Sequence, residues 1–297
     1  GEGGELAIQT GGMRWAVGGK VDRIDRTLQA GAPPTYLLFD YKSGRRRLDL
    51  ARIFGGVDMQ LSAYALALRE TPPETRPFAP ADTAEGGCAT ESAVDPGAPG
   101  LRIGGIFYWP LAAPLLDAAS GETDGEPVVS DDWFAKSRPQ GLFAADVAES
   151  LDLQVGPRQS SPAFGFSRNK DGSLSNRGTS HWEPDYFERL LAHERRLLAE
   201  SLEAIRGGRI ALEPVAMATR KGIGWTACGG CAYAAVCRKA DLPGGVPPYR
   251  LLRGLNRKDA YALLDAVQSG TAPSPGFGGH VAPEGGFGGH AAPEGGR

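Results

Sequence analysis

Eight residues constrain this chain more than any others: Thr35-Tyr36-Leu37-Leu38-Phe39-Asp40-Tyr41-Lys42. The run is continuously apolar until its end, which is the pattern of a strand buried on both faces. A strand of that kind needs packed layers on either side. The 22 residues of Asp49–Glu70 predict the best helix of the chain, with Leu50, Ile53, Val57, Leu61, Tyr64, Ala65 and Leu68 recurring at steps of three and four. Strand and helix alternating in this way argue an α/β core.

Short strands are expected at Glu5–Gln9 and Met13–Val17 around a Gly-Gly turn, and over Lys20–Leu28 as a twisted, partly exposed strand. Leu101–Leu111 predicts a further strand, Phe164–Ser180 a small hairpin around Asp171-Gly172, Glu183–Arg206 a long amphipathic helix and Arg257–Val267 a closing helix. Between them, 71–100 is rich in Pro, Gly, Ala and acid without periodicity and reads as a disordered insertion. The tail 270–297 carries GFGGHVAPEG and GFGGHAAPEG; two copies cannot bury a core, so a flexible tail is expected, with His280 and His290 solvated. The domain is thus expected over 1–269. The chain opens on Gly1 in mid-pattern and reads as a fragment of a longer protein.

Composition excludes several classes. No window approaches the ~18–20 consecutive apolar residues of a membrane helix. A net charge of −3 gives no global basic field, so any contact with nucleic acid must be local; Arg45, Arg46 and Arg47, directly after the apolar strand, are candidates. Of the 32 basic residues only seven are lysine, which makes Lys42 at the end of an apolar strand conspicuous.

Strand period two puts Asp40 and Lys42 on one face. If Lys20–Leu28 pairs antiparallel with the apolar strand, Asp22 comes to lie beside Asp40. Two carboxylates there make a hard-oxygen site for Mg²⁺, and a nearby ammonium can orient water and steady charge on phosphorus. The chemistry this fits is phosphodiester hydrolysis. Gln60 and Tyr64, four residues apart, share one helix face. Arg23 and Asp25 are expected to hold the strand pair together, and His181 and His193 to be surface or helix residues.

A second constellation is Cys228, Cys231 and Cys237, spaced C-x₂-C-x₅-C. Three of four cysteines within ten residues point to a soft-metal centre, zinc or iron–sulfur. The fourth, Cys88, lies in the insertion and is not assigned. A reducing compartment, the cytoplasm, is the expected location.

The ordered set Gly19-Lys20-Val21-Asp22-Arg23-Ile24-Asp25, Phe39-Asp40-Tyr41-Lys42-Ser43-Gly44 and Gln60-Leu61-Ser62-Ala63-Tyr64 resembles the RecB-type branch of the PD-(D/E)XK nuclease superfamily. The resemblance implies a restriction-endonuclease-like α/β core with flanking helices. It implies Asp22 and Asp40 as ligands of Mg²⁺, Lys42 as a catalytic residue, and Gln60 and Tyr64 on the helix bordering the site. It also favours a [4Fe–4S] cluster over zinc at Cys228, Cys231 and Cys237, with the fourth ligand and a metal-site histidine expected upstream of Gly1. The layout from Gly11 to about Ala266 is most similar to the B-subunit family of AddAB-type helicase–nucleases. That implies an exonuclease domain of an ATP-dependent helicase–nuclease, with an A subunit as partner, acting on double-strand break ends and their single strands in recombinational repair. The open alternatives are a DNA-end binding module without chemistry and a stand-alone RecB-type exonuclease.

Overall fold

A computed structural model of the chain describes residues 5–27, 34–44, 47–71, 101–111, 137–176, 180–209, 213–237 and 249–271. Cys88 and most of the 71–100 insertion, Arg45, Arg46, residues 112–136, and the tail from 272 with His280 and His290 lie outside the described residues.

Strands β1 (Glu5–Thr10) and β2 (Met13–Gly18) form an antiparallel hairpin. Its two-residue turn holds Gly11 and Gly12 at φ 57° and 75°, left-handed values that a β-carbon resists. Five more strands, β3 (Arg23–Thr27), β4 (Thr35–Lys42), β5 (Arg102–Pro110), β6 (Gln140–Ala144) and β7 (His181–Trp182), form one sheet in that spatial order. The β3–β4 and β5–β6 pairs are antiparallel; β4–β5 and β6–β7 are parallel.

The apolar run becomes β4, an interior strand buried from Thr35 to Asp40. Both of its faces are covered, as the pattern required. On one face Tyr36, Leu38, Ile106 and Tyr108 pack with Leu61, Ala65, Leu190 and Leu191. On the other, Leu37, Phe39, Phe107 and Phe143 pack with Val147, Val155 and Phe166; a 3-10 turn at Ala145–Val147 and helix α3 (Ala148–Leu151) begin that second layer. Each large side chain removed from water here contributes roughly 1.5–3 kcal/mol.

The helix expected over Asp49–Glu70 is two helices, α1 (Leu50–Phe54) and α2 (Gln60–Glu70). Asp49 caps the first, its carboxylate accepting from the N–H of Ala51 and Arg52. The break follows from Gly55-Gly56: Gly56 sits at φ 67°, and the Val57 N–H turns back to the Arg52 carbonyl at 2.8 Å. Apolar spacing continues through the glycines, so periodicity alone could not reveal the turn. Its consequence is that Gln60 begins a helix instead of lying mid-helix.

The long helix α4 (Pro184–Arg206) opens with proline in its first turn and buries Phe187, Leu190, Leu191 and Leu197. It packs on α2 and β1. The 164–180 hairpin reduces to an isolated bridge, Arg168 to Leu174, around Gly172 at φ 84°.

A three-stranded sheet, not expected from the residue pattern, has strand order β10 (Arg250–Arg253), β8 (Val215–Thr219), β9 (Gly222–Thr226). Arg250 donates to the Gly55 carbonyl at 2.8 Å, and the Arg52 guanidinium lies 4.5 Å from the Trp225 ring. Both anchor this sheet at the α1–α2 turn. It leads into the cysteine segment, which ends in the single-turn α5 (Ala234–Cys237). The closing helix α6 (Arg257–Gln268) stacks Tyr261 on Tyr186 of α4 at 3.8 Å. No helix among the described residues is long and apolar enough to cross a membrane.

Candidate active site

The antiparallel β3–β4 pair aligns Arg23 with Phe39; one step further, that register sets Asp22 across from Asp40. Asp22 is exposed, just ahead of β3, and its Oδ2 accepts the backbone N–H of Tyr41 at 2.8 Å. Asp40 is 4% exposed. Its Oδ2 accepts no hydrogen bond and forms an ion pair with the Lys42 ammonium.

Gln60 closes the arrangement. Its Oε1 accepts from Lys42 Nζ at 2.9 Å, while its Nε2 donates to Asp40 Oδ1 at 3.0 Å and to the Tyr64 hydroxyl at 3.1 Å. A carboxamide is the side chain that can accept from an ammonium and donate to a carboxylate at once. The structure therefore brings Asp40, Lys42, Gln60 and Tyr64 into one hydrogen-bonded group, with Asp22 held at its rim. A cleft of about 290 Å³ adjoins it, lined by Gly18, Gly19, Met59, Gln60, Ala63 and Tyr64 among others.

Arg23 and Asp25 form a two-bond pair at 2.8 Å along β3 itself. Arg23 also lies over the rings of Phe39 and Trp109, at 5.3 and 5.1 Å. The ion pair itself lies within β3, and it is Arg23 that reaches the neighbouring strands, over Phe39 of β4 and Trp109 of β5.

Two expectations need correction. His181 and His193 are not surface residues: they are 6% and 3% exposed. Burial, aided by Arg257 and Arg196 respectively, holds each imidazole down to about 4. Neither is part of the carboxylate cluster; His181 meets Arg257 at 2.9 Å and the His193 ring packs at a tilt against Phe54, 4.9 Å between centres. Only the helical placement of His193 stands.

A buried polar layer beneath the cluster was missed. Asp58 accepts from the Tyr108 hydroxyl at 2.9 Å, and Ser62 donates to Glu194 at 2.7 Å. Burial first, and the nearby Asp58 charge second, push the Glu194 carboxyl up to about 8 against the Ser62 hydrogen bond. One signal was available: Glu194 falls three to four residues from Leu190, Leu191, Leu197 and Leu198, on the apolar stripe of α4.

The carboxylates of Asp22 and Asp40, the Oδ2 of the latter paired with the Lys42 ammonium, have the hard-oxygen chemistry that suits Mg²⁺. Among the described residues no group of three or more His, Cys, Asp or Glu is placed to hold a metal ion. The thiols of Cys228 (half-buried), Cys231 and Cys237 (both exposed) are free. They occupy a turn in which the Cys231 N–H reaches the Cys228 carbonyl, followed by the one-turn helix α5. Their donor chemistry suits a thiophilic centre; the three sulfurs are not gathered into one.

A family model described as the PD-(D/E)XK nuclease superfamily matches residues 2–238. The chain belongs to this superfamily. The PD-(D/E)XK assignment agrees with the mixed α/β architecture and with a sheet whose interior strand β4 ends in Asp40-Tyr41-Lys42. Among curated relatives, the B subunit of an ATP-dependent helicase/deoxyribonuclease from Symbiobacterium thermophilum is 30% identical over 264 residues, covering 86% of this chain and 19% of the relative. The B subunits of the same name from Thermoanaerobacter sp. and Staphylococcus aureus are 27% and 25% identical, over 74% and 85% of this chain and 16% and 21% of their own lengths. This PD-(D/E)XK chain thus spans about a fifth of the curated relatives it matches.

Proposed function

We propose that this chain is the nuclease domain of a helicase–nuclease subunit and hydrolyses DNA phosphodiester bonds with Mg²⁺. The observation that carries the reading is the closed group of Asp40, Lys42 and Gln60, with Asp22 at its edge. Names borne by the relatives, all deoxyribonuclease subunits, support it.

In this reading Asp22 and Asp40 hold the Mg²⁺, which when bound activates water and polarises the phosphoryl oxygen. Lys42, poised between Asp40 and Gln60, orients the attacking water and offsets charge building on phosphorus. Gln60 keeps that ammonium on station, and Tyr64 fixes the carboxamide. Exposed Arg47 contributes a phosphate contact, together with Arg45 and Arg46. Such contacts are indifferent to sequence, which suits an exonuclease working on broken ends and unwound single strands.

Cys228, Cys231 and Cys237 supply three ligands of a [4Fe–4S] cluster, zinc being the alternative, and the cluster fastens the C-terminal segment to the core. The nuclease domain spans 1–269, and 270–297 is a separate tail. An A subunit in a cytoplasmic heterodimer, ATP-dependent unwinding and a role in recombinational repair complete the proposal.

The test is cleavage of end-labelled single-stranded DNA by the purified chain with and without Mg²⁺. Cleavage that needs Mg²⁺ and disappears in Lys42→Ala supports the reading; DNA binding with no Mg²⁺-dependent product assigns the chain to an end-binding module instead. Iron and acid-labile sulfide in the purified protein support the cluster, and stoichiometric zinc overturns it.

A further inference from the structure

We propose that Tyr108 and Asp58 are a positioning pair that sets Lys42 against Gln60, an inference that rests on the nuclease reading for its catalytic consequence. Parallel pairing aligns Tyr108 with Asp40, so both side chains leave the sheet on the α2 face. Tyr108 is fully buried. Its hydroxyl donates to Asp58 Oδ1 at 2.9 Å, and its ring centre lies 5.1 Å from Lys42 Nζ. One side chain therefore reaches two parts of the molecule: the lysine on β4 and the turn that begins α2.

The lysine end is simple to account for. An ammonium has three N–H donors and no acceptor. Here it meets the Asp40 carboxylate, the Gln60 carbonyl oxygen and the electron-rich face of Tyr108. With partners on three sides, the flexible stem is held in one position.

The turn end fixes Gln60. Asp58 stands two residues before Gln60, on the 55–59 turn that interrupts the helix, and is 5% exposed. Burying a carboxylate is costly unless it is hydrogen-bonded, and an apolar residue could cover this turn at lower cost. What the acid adds is a directional tether from the start of α2 to β5. From α4, Glu194 receives the Ser62 hydroxyl at 2.7 Å and holds the first turn of α2 against a second element. The strand bearing Lys42 and the helix bearing Gln60 are thus locked together through Tyr108.

The test pairs Tyr108→Phe, which keeps the ring and removes the tether, with Asp58→Asn, which keeps an acceptor, and Asp58→Ala, which does not. Lysine-selective ¹⁵N NMR follows the Lys42 side chain, which is tractable with seven lysines in the chain. An ordered Lys42 in the unaltered protein and in Asp58→Asn, mobile in Tyr108→Phe and Asp58→Ala, is the expected result. In the Mg²⁺ cleavage assay, kcat falls about tenfold in Tyr108→Phe with KM for DNA unchanged. The double variant Tyr108→Phe/Asp58→Ala is no worse than either single change. Equal Lys42 order in Tyr108→Phe and the unaltered protein overturns the proposal, as does a loss expressed in KM or additive losses in the double variant. If Lys42 shows the expected pattern but the unaltered protein never cleaves DNA, the nuclease reading fails and the positioning pair stands. If Asp58→Ala does not fold, Tyr108→Phe and Asp58→Asn decide.

Discussion

The backbone N–H of Tyr41 donates to the Asp22 carboxylate at 2.8 Å, so the residue between Asp40 and Lys42 anchors the acid that just precedes the neighbouring strand. Asp22→Asn keeps an oxygen for that hydrogen bond and removes the charge. Thermal stability should stay within a degree or two of the unaltered protein, while Mg²⁺-dependent cleavage falls about a hundredfold or more. Cleavage rate and melting temperature, measured on one preparation, check this; unchanged cleavage removes Asp22 from the metal site.

Gln60 supplies one acceptor and one donor to the group, and Gln60→Glu replaces the donor facing Asp40 Oδ1 with a second negative oxygen. Without divalent ions this variant should be less stable than Gln60→Ala, because like charges face each other. Added Mg²⁺ should then raise its melting temperature more than it raises that of Gln60→Ala, since binding to the folded state alone stabilises by mass action. Melting curves at several Mg²⁺ concentrations report the difference.

Gly19 leaves Tyr64 the space it occupies: a β-carbon there would sit 2.3 Å from Tyr64 Cε1. Gly19→Ala should displace the phenol from Gln60, lower stability by about 1–3 kcal/mol and slow cleavage. Denaturant unfolding and turnover measured together test this, and a variant with both unchanged refutes it.

Buried acid and buried imidazoles give opposite pH dependences. Glu194 titrates near 8 in the folded protein, against an ordinary 4.5. The folded state therefore holds a proton that the unfolded chain releases, and this contribution is full below about 4.5 and lost as pH rises through 8. His181 and His193, held down to about 4 from 6.5, contribute fully above 6.5 and lose that contribution as pH falls toward 4. Glu194→Gln should match the unaltered protein near pH 5 and exceed its stability at pH 8. Denaturant midpoints at the two pH values decide; an equal difference at both would remove Glu194 as the titrating group.

Much of this arrangement was legible in the residues. Continuous apolarity from Thr35 to Phe39 predicted a strand with cover on both sides, and the two clusters around Leu38 and Phe39 provide it. Period-two alternation put Asp40 with Lys42, and the helical step of four put Gln60 with Tyr64. The 55–59 turn was not legible, because Val57 and Leu61 keep the apolar rhythm across Gly55-Gly56. Nor was the β8–β10 sheet, whose five- and four-residue strands are too short for periodicity to declare.

What the sequence determined by itself is local: which residues form β4, which face each side chain takes, and which side chains carry acid, base or thiol. Those follow from backbone geometry and from transfer of apolar groups out of water, which act over a few residues at a time. Tertiary structure alone decided that Gln60 reaches back across 20 residues to Asp40 and that Tyr108 meets Asp58 across 50. It also decided that both histidines are enclosed. Contacts of that range depend on how sheet and helices pack as a whole, where a buried polar group must find its partner or pay for leaving water.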